Sequence, residues 1–132
     1  MKELSYDFNL NDSLESGVQK ITDALKTQGF GVLTRIDFDK KIHEKLGKSL
    51  HPIAILGACN PKLAYEAYLK DANMLLLVPC NVVLEEYEPK KLSVKMMKPS
   101  SMMQSLDSKD FLALAQEADN ALLRVKDTLS SG

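Results

Sequence analysis

Two spacings of apolar residues alternate along the chain and predict alternating strands and helices. Near the start, apolar side chains occupy every second position, which is typical of a half-buried strand: Leu4, Tyr6, Phe8 and Leu10. The next apolar residues lie three or four positions apart and form one stripe of a helix: Leu14, Val18, Ile21 and Leu25. We expect Asp12 or Ser13 to cap this helix and Gly29 to end it.

The middle of the chain repeats this alternation. Residues 30–36 and 53–56 are rich in β-branched and apolar types and predict two strands. Between them the pattern predicts a short helix closed by Gly47, with an apolar side made of Phe38, Ile42 and Leu46. A further helix is expected to start with Asn60 as its cap and Pro61 at its first position, where the missing N–H costs nothing.

The rest of the chain predicts three more strands and a long final helix. The run 74–78 is wholly apolar, which favours a central strand covered on both faces. Residues 81–87 and 92–96 predict a hairpin. Asp107 or Ser108 is expected to open the last helix, whose apolar stripe has helical spacing: Phe111, Ala115, Ala118, Leu122, Val125 and Leu129.

The resulting element order is βαβαβαβββα, which predicts the α+β class. We expect a single-layer mixed sheet of about five or six strands packed against three or four helices. No repeat or low-complexity linker interrupts the sequence, so one domain should span residues 1–132, with a C-terminal helix at about 108–129.

Composition narrows the classes of function. The 17 basic and 18 acidic residues give a net charge of −1, so there is no basic excess for binding nucleic acid. No segment approaches the roughly 20 apolar residues of a membrane span, which argues against a membrane protein. The first residues lack the apolar core of a signal peptide, which predicts a cytoplasmic location.

The two cysteines carry the main chemical hypothesis. Both precede an asparagine, in Cys59-Asn60 and Cys80-Asn81, and both follow an apolar segment predicted as a strand. If those strands are neighbours, the two thiols lie at the same end of the sheet. Cys59 also comes just before a helix start, where amide donors and the helix dipole favour a thiolate and should lower the pKa.

The thiols leave several chemical roles open. A close pair can bind a soft metal, with His51 as a weak third candidate ligand, cycle between dithiol and disulfide, or hold a sulfur-reactive ligand. Free cysteine is also a common packing residue, and the 21-residue spacing matches neither a zinc pattern nor Cys-x-x-Cys. The methionine pairs 96–97 and 102–103 add thioethers, which hold Cu(I) together with thiols but more often fill cores or subunit contacts.

Three segments resemble the signature blocks of the family known as domain of unknown function 302. These are residues 28–37, 55–64 and 77–83, in matching order and spacing, and the likeness runs from about Ile21 to Pro99. The resemblance implies a compact α+β domain, commonly a homodimer, in a prokaryotic cytoplasm. It transfers no activity, but the two Cys-Asn pairs coincide with two of its blocks.

These observations predict a small homodimeric binding module. Its pocket would lie at the Cys59/Cys80 end of the sheet, with Asn60 and Asn81 as directed polar groups, and would take a small molecule or a soft metal. No other cofactor is predicted. The alternatives are a thiol-redox enzyme with Cys59 as nucleophile and a purely structural protein whose last helix or strand edge forms a subunit interface.

Overall fold

Five strands form one sheet in the order β1-β5-β4-β3-β2. The structure is a computed structural model and describes residues 4–104 and 110–130. The strands are β1 Ser5–Leu10, β2 Gly31–Asp37, β3 Ile53–Cys59, β4 Cys80–Glu88 and β5 Lys91–Met97. The predicted α+β class is confirmed, with strands and helices close to the expected positions.

The sheet is antiparallel at each of its four pairings, so the expectation of a mixed sheet is wrong. The reason lies in the crossover after the first strand. The helix that follows β1 carries the chain to the far side of the sheet, so β1 and β2 lie on opposite edges and do not pair. Each later connection joins two neighbouring strands that run in opposite directions, namely β2 to β3, β3 to β4 and β4 to β5. Strand β5 then pairs with β1, also antiparallel.

Five α-helices are described: α1 Leu14–Thr27, α2 Phe38–Leu46, α3 Pro61–Lys70, α4 Pro99–Met103 and α5 Asp110–Ser130. Local sequence sets their ends as expected. Ser13 caps α1 by accepting a hydrogen bond from the Ser16 amide. Gly29 and Gly47 take the positive φ angles, 83° and 67°, that follow the ends of α1 and α2. The predicted helix starts at Asp107 and Ser108 lie outside the described residues.

The apolar run at 74–78 is not a strand, which corrects the predicted order. Residues 72–77 form a 3-10 helix, whose first turn is capped by the Asp71 carboxylate accepting from the Asn73 amide. Strands β3 and β4 pair directly with each other, which leaves no space between them for another strand. Only Met74 of this run is fully buried, and Leu76 is 84% exposed.

Helices α1 and α5 cover one face of the sheet. Their apolar stripes meet inward-facing strand residues in a single core, in which Ile21, Leu56, Leu84 and Leu122 are at most 2% exposed. In the ranges described here, no helix has the length and apolar character needed to cross a membrane. The core ends at the end of the sheet where β3 stops and β4 begins, and the candidate site lies there.

Candidate functional site

Antiparallel pairing brings the two cysteines to the same end of the sheet. Strand β3 ends at Cys59 and β4 begins at Cys80, and the register places Ala58 directly opposite Cys80. Both thiols are half-buried and free of disulfide bonds. Both line one cavity, so residues 21 positions apart in the sequence contribute to a common space.

The cavity is small and apolar. Its volume is about 50 Å³, and it is bounded by the ends of β3 and β4 together with α3, the 3-10 helix, α4 and α5. Among the described residues its walls are carbon or sulfur except at Asn60: Phe30, Ala58, Leu63, Ala64, Met74, Leu77, Val78, Pro99, Met102, Met103, Leu114 and Ala118 complete the lining. A water molecule takes about 30 Å³ of liquid and a cavity of about 150 Å³ holds benzene. The space therefore suits a ligand of one to a few atoms.

Burial keeps both thiols protonated near neutral pH. Removal from water, with smaller contributions from Cys59 and Asp119, raises the pKa of Cys80 from 9.0 to about 11. Burial also raises the pKa of Cys59, so the expected lowering at the helix start is wrong. The α3 amide of Leu63 donates to Asn60 Oδ1 at 3.2 Å and not to the thiol. Desolvation therefore sets the direction of the Cys59 pKa, and the thiol-redox alternative loses its main support.

The other predicted site residues lie in different places. Asn60 lines the cavity, while its Oδ1 caps α3 as expected. Asn81 lies opposite Gly57 on β4, is exposed, and is not part of the cavity lining. His51 precedes β3 at the opposite end from Cys59, and its Nε2 lies 2.6 Å from Glu85 Oε2. The structure does not bring His51 to the cysteines.

A buried carboxylate behind the cavity was not predicted. Asp119 of α5 is only 4% exposed and accepts a hydrogen bond of 3.1 Å from the Ser100 amide at the start of α4. Desolvation, followed by the charge of Asp119 and a hydrogen bond to it, raises the pKa of Tyr6 to about 12. The sequence signal was an acid inside the apolar stripe of α5, next to the cavity-lining Ala118.

A second depression lies at the opposite end of the sheet and is wider, at about 290 Å³. Most of its charged groups are already engaged within the protein. Arg35 pairs with Glu15 on α1, and Glu86 accepts a 2.7 Å hydrogen bond from the Leu14 amide. Asp39 accepts from the backbone of β3 at 3.0 Å. This open polar surface has structural partners, so the thiol-lined cavity is the better candidate site.

The described ranges contain no cluster of side chains typical of a divalent metal site. Over residues 4–104 and 110–130, no three His, Cys, Asp or Glu side chains come together in a way that suits a metal ion. Thioether sulfur is a further kind of donor, and three methionines line the same cavity as the two thiols: Met74, Met102 and Met103.

The fold and the site define a class of protein: a small α+β domain with one antiparallel sheet and a thiol-lined cavity at one end of it. The chain belongs to the family described as domain of unknown function DUF302, which matches residues 6–129. The match extends on both sides of the 21–99 region expected from the sequence blocks.

A solved structure shares the fold. The crystal structure of an uncharacterized conserved protein DUF302 from Bacillus stearothermophilus has a TM-score of 0.86 to this chain, with 23% identity. The likeness covers 96% of this chain and 98% of that one. No curated protein matched the chain in the comparison. These findings establish fold and family, and the function rests on the site itself.

Proposed function

We propose that the protein is a homodimeric binding module whose thiol-lined cavity holds a very small, apolar or thiophilic ligand. One observation carries the proposal: Cys59 and Cys80, from two paired strands, line the same apolar cavity of about 50 Å³. Asn60 adds a single amide to walls that are otherwise carbon and sulfur, so the cavity offers a ligand one polar group among apolar contacts.

The dimer in this proposal uses the apolar patch beside the cavity. We define this patch by five exposed side chains of α3 and the 3-10 helix: Tyr65, Tyr68, Leu69, Leu75 and Leu76, which are 43–84% exposed. Contiguous exposed apolar surface is typical of protein contacts. The same two elements supply Leu63 and Met74 to the cavity wall, so the patch lies on segments that also bound the proposed site.

Xenon tests the cavity, because it is a single apolar atom. Amide chemical shifts of the full chain would be followed by NMR as xenon pressure rises. We expect saturable shifts at Ala58, Leu63 and Leu77, and their loss in Ala64→Leu, which fills the cavity from α3. Ala113→Leu is the control, because Ala113 is exposed on α5 and does not line the cavity. Absence of saturable shifts in the wild type would refute an accessible cavity.

Light scattering tests the dimer. The expected mass is twice the 14.7 kDa of one chain. Leu76→Lys should give a monomer because a charge would have to be buried in the patch. Leu33→Lys is the control, since Leu33 is 62% exposed on the edge strand β2, the rival interface. A wild-type monomer, or a dimer lost only in Leu33→Lys, would contradict the proposed arrangement.

A further inference from the structure

Sulfur dominates the donor atoms around the cavity. The chain has two cysteines and six methionines, and both cysteines and three of the methionines line this one space of about 50 Å³. They come from β3, β4, the 3-10 helix and α4. Within the described ranges, the sole oxygen- or nitrogen-bearing side chain in the lining is Asn60. Such a wall offers a cation thioethers and thiols and no carboxylate.

We propose that the cavity binds one Cu(I) ion through the Cys59 thiolate and the thioethers of Met102 and Met103, an inference that rests on the binding function proposed above. Thiolate and thioether ligands select Cu(I) over harder cations. Zinc sites take four ligands, usually Cys, His or carboxylate. Only two such side chains line this cavity among the described residues.

Charge balance determines where the proton of the Cys59 thiol goes when the ion binds. Binding replaces the S–H bond of Cys59 by an S–Cu bond, the proton leaves to solvent, and copper stays in the +1 state throughout. One thiolate and one Cu(I) give a neutral centre, which suits an apolar wall. A second thiolate would leave a net negative charge in this apolar wall, close to the buried Asp119, which follows the lining residue Ala118 on α5. Cys80 therefore stays a neutral thiol beside the ion.

An anaerobic competition titration tests the site. The full-length protein would be titrated with Cu(I) against the chromogenic chelator bicinchoninate, and proton release would be measured in weak buffer. We expect one ion per chain and one proton per ion. Zn²⁺ should not compete. Cys59→Ser should weaken Cu(I) binding by at least about 100-fold, since it removes the anionic ligand.

Methionine variants separate ligation from packing. Met102→Leu combined with Met103→Leu conserves volume and should fold, yet weaken Cu(I) binding by at least about 10-fold. Met97→Leu is the matched control because Met97 lies on β5 outside the cavity lining, and it should bind as the wild type does. This pair keeps the test decisive even if Cys59→Ser fails to fold.

The outcomes separate this inference from the binding function. No competition with bicinchoninate, or an affinity unchanged in the methionine double variant, would overturn the Cu(I) site. If Cu(I) fails to bind while xenon still gives saturable shifts, the cavity remains a ligand site with a different occupant. If both probes fail, the binding function falls together with the metal site.

Discussion

Alkaline pH should destabilise the protein through Cys80. The folded state holds this thiol with a pKa of about 11, against 9.0 for the group in water. Between these values the unfolded chain has lost the proton and the folded chain has kept it, so the free energy of unfolding falls as pH rises. The complete shift corresponds to about 3 kcal/mol, and about 2 kcal/mol of it should be lost between pH 8 and pH 10.5.

Cys80→Ala isolates this effect. Losing the thiol changes stability by an amount that does not depend on pH, whereas the alkaline loss should disappear. Urea unfolding of wild type and variant at pH 8 and pH 10.5 gives four free energies of unfolding, and their double difference should be about 2 kcal/mol. Lysines titrate in both proteins and cancel in this difference.

Two outcomes would contradict this prediction. If Cys80→Ala loses as much stability as the wild type between the two pH values, the thiol is not held neutral by burial. Burial would then not account for a neutral Cys80 thiol in the folded protein. A wild-type protein that is equally stable at both pH values would lead to the same conclusion.

Two further substitutions test local structure near the site. Asn60→Ala should reduce the free energy of unfolding by about 1 kcal/mol, because the Leu63 amide loses its capping acceptor; urea unfolding measures this loss, and an unchanged stability would contradict the cap. Gly57→Ala should destabilise the protein by about 1–3 kcal/mol, because an added Cβ would overlap the Thr34 hydroxyl and lie 2.7 Å from Pro79 Cγ; an unchanged midpoint of thermal unfolding would show that the two strands and Pro79 shift at little cost.

The cysteines meet by a route that the sequence did not predict. Cys80 was expected to follow a strand at 74–78, but residues 72–77 form a 3-10 helix and Cys80 begins β4 instead. Antiparallel neighbours place the end of one strand beside the start of the next. Once the strand ending at Cys59 pairs with the strand beginning at Cys80, the two positions meet. The sequence placed both strand boundaries within one to three residues of those in the structure. The missing step was strand order, which depends on long-range packing and has no signal in the spacing of apolar residues.

The cavity wall was harder to anticipate. Met74 and Leu77 belong to an apolar run that a strand and a 3-10 helix accommodate equally well, and only the direct pairing of β3 with β4 excludes the strand. Burial of a thiol is likewise a tertiary property. The helix start after Cys59 suggested a lowered pKa, but the surrounding apolar side chains reverse its direction.

Asp119 offers the sharpest test of how the buried polar groups around the cavity are coupled. Its charge and its hydrogen bond contribute, after desolvation, to the raised pKa of Tyr6. Asp119→Asn removes the charge and keeps an amide oxygen for the Ser100 amide. The Tyr6 midpoint, followed by absorbance at 295 nm, should fall from about 12 but stay above the ordinary 10.0, because desolvation persists.

Tyr6→Phe assigns the midpoint, since the chain has four tyrosines. In Asp119→Asn the Cys80 thiol should also react faster with a chromogenic disulfide reagent at pH 9, because the negative charge of Asp119 helps to keep it protonated. Faster Cys80 reaction together with a lowered Tyr6 midpoint would show that one carboxylate acts on both groups. If neither changes, the charge of Asp119 has no effect on the groups around the cavity. The apolar wall alone would then have to account for a single thiolate at a bound Cu(I) ion.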